Sequence, residues 1–180
     1  MSDAVNRGTT ALVVLLLGGV LAGCGEEQNI ADQPAAGSPW AAPSNVSERA
    51  ASAGLDLGPM GMAEHYHPHL RVIIDGADVP VPPNIGVDAA SGAMSAVHTH
   101  EADGTIHIEA STVGEEFTLG QLFTQWGVDL TPTQIGGIRA TAGDTVAVTS
   151  NGVKVKGDPN DLRLEPDQKI VVRLRSIASR

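Results

Sequence analysis

A single cysteine, Cys24, stands in the 180 residues, so an intrachain disulfide is excluded. Aromatic residues make up only 3%, which leaves the core to aliphatic side chains. Basic charge is scarce too: 11 Lys and Arg face 21 Asp and Glu, for a net charge of −10. A surface of that sign repels phosphate backbones and anionic lipid and attracts cations, which argues against nucleic-acid binding. No serine sits in a nucleophile-elbow context, so acyl-transfer chemistry has no obvious carrier. Histidine is missing from most of the chain and crowded into one part of it: His65, His67, His69, His98, His100 and His107 are the full set. That crowding is the strongest functional signal present.

The N-terminus has its own logic. Residues 1–10 are polar with one Arg7, and the apolar run 11–23 is too short for a comfortable membrane span, the pattern of a signal peptide. It ends in Leu21-Ala22-Gly23-Cys24, which resembles the lipobox of bacterial lipoproteins. The resemblance implies removal of residues 1–23, a diacylglyceryl group on the Cys24 thiol, and an extracytoplasmic protein held to the cell membrane by lipid. The acidic balance survives this processing, because the removed piece holds one Asp and one Arg. Residues 24–63, rich in Pro, Ala, Ser and Gly, read as a disordered tether with a reach of roughly 35 Å. Trp40 has no role in that reading. One globular domain is then expected over 64–176.

Inside the domain, Asp103-Gly104 between alternating runs predicts a two-residue hairpin turn. Pairing Ala102 with Thr105 sets His100 opposite His107 and His98 opposite Glu109, with Val97, Thr99, Ile106 and Ile108 on the core side. Opposite Cβ atoms lie about 5 Å apart, and residues two apart on one strand about 7 Å. Four side chains on such a rectangle reach a common ion, so His98, His100, His107 and Glu109 form a candidate three-His, one-Glu metal site. Isolated histidines on a solvent face are usually inert; their massing here favours ligation. Upstream, His65, His67 and His69 share one side of an extended segment and add further candidate ligands. Met60 and Met62 beside them suit Cu(I), as imidazole suits Cu(II) or zinc.

Leu70 to Val81 repeats the hairpin logic around Asp75-Gly76, placing Leu70, Val72, Ile74, Ala77, Val79 and Val81 on one apolar face, and Pro80, Pro82 and Pro83 mark an edge. Thr118 with Gln121 forms a capping box, Gly127 a C-terminal stop, and Leu119, Leu122, Phe123 and Trp126 an apolar helical stripe. Asn151-Gly152 predicts a third hairpin, and 169–174 a closing strand. The fold class is α+β, mostly β: three hairpins and a C-terminal strand packed on one short helix, an order that resembles β-grasp domains.

The pattern His65-x-His67-Pro68-x-Leu70, His98-Thr99-His100 through Gly104-x-Ile106-His107-x-Glu109, Phe117-Thr118-Leu119-Gly120 to Trp126-Gly127, and the late Asn151-Gly152 is similar to a group of uncharacterised secreted or membrane-anchored prokaryotic proteins. It covers about residues 64–174 and implies a shared site without a named reaction. The functional expectation is a lipid-anchored module for capture, buffering or transfer of copper or zinc, with an envelope protein as partner. The alternatives are a metalloenzyme using the three-His, one-Glu set, for which no separate nucleophile or base is evident, and an envelope accessory domain whose histidines are structural or sense pH.

Overall fold

Two turns frame the main sheet. Asp75 and Gly76 have φ of 52° and 86°, and Asn151 and Gly152 of 49° and 80°; both positions of a type I′ turn require the left-handed region, which these residues tolerate. The computed structural model describes residues 38–176, so the expected signal peptide and the lipobox cysteine Cys24 lie outside the described residues.

In chain order the strands are β1 (Glu64–Tyr66), β2 (His69–Ile74), β3 (Ala77–Val79), β4 (Val87–Asp88), β5 (Ala93–Met94), β6 (Val97–His98) and β7 (His107–Ala110), then β8 (Leu130–Thr131), β9 (Gln134–Ile135), β10 (Ile138–Arg139), β11 (Ala147–Ser150), β12 (Val153–Lys154) and β13 (Lys169–Leu174). Helices α1 (Val46–Ser52) and α2 (Leu119–Trp126) complete the elements used below.

The largest sheet runs β12-β11-β13-β2-β3. Its two hairpins, β2-β3 and β11-β12, keep the registers their turns impose, with Ile74 opposite Ala77 and Ser150 opposite Val153. The closing strand β13 slots between them, parallel to β2 from Lys169↔His69 to Leu174↔Ile74. Two hairpins flanking a parallel central pair is a β-grasp-like strand order. Leu70, Val72, Ile170, Val172 and Leu174 face inward and are 2% exposed or less.

Helix α2 shares this core, packed against α1 and reaching β6 of the smaller sheet. Its N-terminus carries the complete capping box of Thr118 and Gln121, and Gly127 at φ 77° closes it. Leu119, Leu122, Phe123 and Trp126 are all buried, so the stripe read from the sequence is the packing face. At roughly 1.5 to 3 kcal/mol for each large apolar side chain removed from water, these four residues anchor the helix in the core.

Residues 38–63, expected to be tether, are instead part of the domain. Helix α1 packs on α2, burying Ala50 and Leu55, and Trp40 meets Trp126 edge-on at 5.8 Å. Composition misled here because a short helix needs only a few apolar residues when a ready-made surface receives them, and Ala50, Leu55 and Trp40 suffice. No helix among the described residues is long and apolar enough to cross a membrane.

A second, three-stranded sheet, β1-β7-β6, lies between the first hairpin and α2 in chain order, except for β1, which precedes that hairpin. Every residue discussed as a ligand except His69 belongs to it or to the loops at its ends.

Candidate metal centre

β7 is the middle strand of the small sheet, so His107 and Glu109 acquire neighbours from both sides. His98 pairs with His107 across β6-β7, and His65 with Glu109 across β1-β7. The other face carries Val97, Ile106 and Ile108, all fully buried, as expected.

The register differs from the sequence expectation. His98, not His100, stands opposite His107, and the partner of Glu109 is His65 rather than His98. The reason is that Asp103-Gly104 does not close a two-residue hairpin. The Asp103 carboxylate accepts from the Thr105 amide at 2.8 Å, making a local side-chain turn, and only Gly104 of the pair has a positive φ, 89°. The backbone on either side is engaged elsewhere: Leu70 N–H donates to the Gly104 carbonyl at 2.8 Å, and Ile106 N–H to the Pro68 carbonyl at 2.9 Å. A Cβ at Gly104 would collide with the Leu70 carbonyl, so glycine is needed for this crossing. The resulting slip is two residues. Because side chains alternate with period two, an even slip leaves every residue on its expected face, and the ligand candidates still converge.

Five imidazoles meet. Nε2 of His65 and Nε2 of His67 are 3.0 Å apart, and Nε2 of His98 and Nε2 of His100 are 3.1 Å apart. His107 lies between the two pairs: its ring centroid is 4.6 Å from that of His67, 4.7 Å from that of His100, and 5.3 Å from the stacked ring of His98. Two triads result, His65/His67/His107 and His98/His100/His107, each with its ligand atoms within 4.8 Å of one another. A tetrahedral ion bound at about 2.0 to 2.1 Å holds its nitrogens about 3.3 Å apart, close to these spacings. Each triad can therefore hold a metal ion.

Burial and hydrogen bonding support that fit. Nε2 of His107 and Oε2 of Glu109 are buried and have no hydrogen-bond partner. Each such orphan costs about 1 to 3 kcal/mol unless something binds it. Glu109 reaches both sets, with Oε1 at 3.4 Å from Nε2 of His65 and Oε2 at 4.0 Å from Nε2 of His98.

His98 is fully buried and the most tightly defined. Its Nδ1 lies 2.9 Å from the Ser95 carbonyl. A carbonyl only accepts, so Nδ1 carries the proton, and in the neutral ring Nε2 presents its lone pair to the cluster. Burial pushes the His98 pKa down to about 4, outweighing the upward pull of the Ser95 contact. His107 is also pushed down, first by burial and then by His100 and His67. Both shifts favour the neutral, metal-ready imidazole at neutral pH.

Behind His98 stands a support that the sequence reading missed. Gln125 of α2 donates from Nε2 to the Val97 carbonyl at 2.9 Å, and its Oε1 lies 2.7 Å from the Ser95 hydroxyl. The helix thus grips the strand that carries His98. The available signal was a polar residue set among Leu122, Phe123 and Trp126 on the buried stripe.

Other candidates fall outside the cluster. His69 begins β2 in the large sheet and belongs to neither triad, because the chain changes sheet at Pro68. Glu101 places Oε2 3.8 Å from Nε2 of His107 but is largely exposed. Met62 is 88% exposed, whereas Met60 and Met94 line, together with Glu109, a cleft of about 360 Å³. Comparison with protein-family models, with curated proteins and with solved structures returns no match for this chain.

Proposed function

We propose that this protein is a lipid-anchored, extracytoplasmic metal-binding module that captures copper or zinc through its histidine cluster and buffers it or passes it to an envelope partner. The observation that carries the reading is His107, a residue common to two triads whose Nε2 is buried and unpartnered. An all-imidazole donor set suits Cu(II) and zinc, and the thioethers of Met60 and Met94 beside Glu109 suit Cu(I). The acidic surface favours approach of cations. The lipobox ending in Cys24 supports anchorage at the outer face of the membrane.

The test is elemental analysis and copper and zinc titration of the chain from Gly25 onward, which keeps the residues of α1 that the core needs. About one tightly held ion per chain is expected, lost in His100→Ala/His107→Ala. No retained ion and no binding at micromolar metal would overturn the reading and leave an envelope-interaction domain.

The Glu109 carboxylate, 3.4 Å from Nε2 of His65, favours a second reading, a metalloenzyme in which Glu109 assists an ion held by the histidines. Metal-dependent turnover of any small ester or phosphate that disappears in Glu109→Gln while the ion is retained would favour it; its absence across such panels would favour the binding module.

A further inference from the structure

We infer that the two triads are two stations of one relay, occupied by a single ion in turn: an outer station, His65, His67 and His107, that exchanges the ion with the surroundings, and an inner station, His98, His100 and His107, that stores it. This rests on the metal-binding reading above and specifies how that site works.

The two stations share a ligand. His107 is common to both triads, and its Nε2 is buried without a hydrogen-bond partner; that one lone pair holds one ion at a time. Completing one station with three nitrogens therefore empties the other of its third. Glu109 is divided in the same way, Oε1 toward His65 and Oε2 toward His98. Its negative charge serves an ion at either station, so the move between them does not cross a region without a counter-charge.

The stations differ in access. In the outer set His65 is 56% exposed at its side chain and His67 is exposed as well, whereas in the inner set only His100 is exposed and His98 is fully buried. His98 is also locked by its Ser95 contact, while among the described residues the outer pair's polar side-chain contacts are with each other and with Glu109. Pre-oriented, dehydrated ligands hold an ion longer than mobile, hydrated ones. Storage belongs inside and exchange outside.

The move itself is ligand exchange with no change in oxidation state. Two exchanges complete the move: the bonds from the ion to His65 and His67 break as bonds to His98 and His100 form, one for one, while His107 stays bound. The imidazoles that bind are neutral before and after, so the ion keeps its charge and the step needs no reductant or oxidant. The species served is a borderline or soft cation, Zn(II) or copper, and the donor or acceptor must approach the His65/His67 side.

The experiment uses the full-length protein in detergent, loaded with one equivalent of Zn(II), and follows transfer to a chromogenic chelator in stopped flow. His67→Ala and His100→Ala are compared with wild type; both side chains are exposed, and urea midpoints confirm folding. Expected are one ion per wild-type chain, a His67→Ala variant that keeps its ion at near wild-type affinity but releases it at least tenfold more slowly, and a His100→Ala variant that binds at least tenfold more weakly and releases no more slowly than wild type. Two ions per chain would overturn the relay, since both stations would then fill together. So would wild-type release from His67→Ala, or an equal loss of affinity in both variants, which would mean one pooled site. A wild type that binds no zinc and no copper would instead sink the metal-binding reading itself.

Discussion

Lowering the pH from 7 to 5 should destabilise the metal-free protein, and His98 should account for a measurable part of the loss. Its folded pKa is pushed down from 6.5 to about 4 by burial. Above pH 6.5 both the folded and unfolded chains carry a neutral ring there, and the residue has no effect on the pH dependence. Between 6.5 and about 4 the unfolded chain binds a proton that the folded chain refuses, so stability falls as pH falls, by up to about 1.4 kcal/mol per unit. Below about 4 both states are protonated and the loss levels off. Integrated from pH 7 to 5 the contribution is about 2 kcal/mol, equivalent to a urea midpoint lower by about 1 M at the slopes typical of small domains. His107 adds loss of the same sign. The assay is urea unfolding of chelator-treated protein at both pH values, wild type against His98→Gln, which retains a hydrogen-bonding side chain that does not titrate. The difference between the two pH slopes isolates His98. Identical slopes would refute the reasoning, because they would mean that the ring is hydrated or already charged in the folded state.

Three further outcomes follow from the packing. Gly104→Ala adds a Cβ against the Leu70 carbonyl at a φ of 89° and should cost about 2 to 3 kcal/mol, read as a lowered urea midpoint; an unchanged midpoint would show that the loop is not pinned to β2. Gln125→Leu removes one of the two side-chain donors to the Val97 carbonyl, leaving that of Ser95, and should cost about 1 kcal/mol, with zinc affinity reduced because β6 loosens. Removing residues up to 56 strips Ala50, Leu55 and Trp40 from α2 and should lower the thermal midpoint by several degrees; a start at residue 57 that melts like the full chain would restore the tether reading.

What could be read from the sequence depended on how local the deciding contact was. Asp75-Gly76 and Asn151-Gly152 form their hairpins because both residues of each turn take the left-handed region, and the amides of Asp75 and Asn151 donate to the Leu174 and Lys169 carbonyls of β13 without shifting the register; the capping box of α2 is completed by residues three apart. Asp103-Gly104 has the same chemistry but fails as a hairpin, since the segment around Pro68 and Leu70, distant in sequence, takes the amide and carbonyl groups at its edges. Alternation still gave the correct faces there, as it constrains parity and not exact pairing. It also put His65 and His67 on a common side without revealing that β1 would join β7, a pairing across more than forty residues. His69 shares their parity and goes elsewhere because Pro68 separates two strands. Gln125 shows the opposite case: position on the buried stripe was visible, but its partner was not.

The contact between His98 and the Ser95 carbonyl has a kinetic consequence. With Nδ1 of His98 committed to donation, its Nε2 is a bare lone pair, so the proton in the 3.1 Å contact between the two Nε2 atoms belongs to His100. An arriving cation needs that same nitrogen of His100. Loading the inner triad therefore demands a change of tautomer at His100, its hydrogen leaving one ring nitrogen while the other gains one. The exposure of that ring lets water carry out the exchange. Uptake is then gated by a solvent-assisted prototropic step, and a slower association rate in deuterium oxide is its signature.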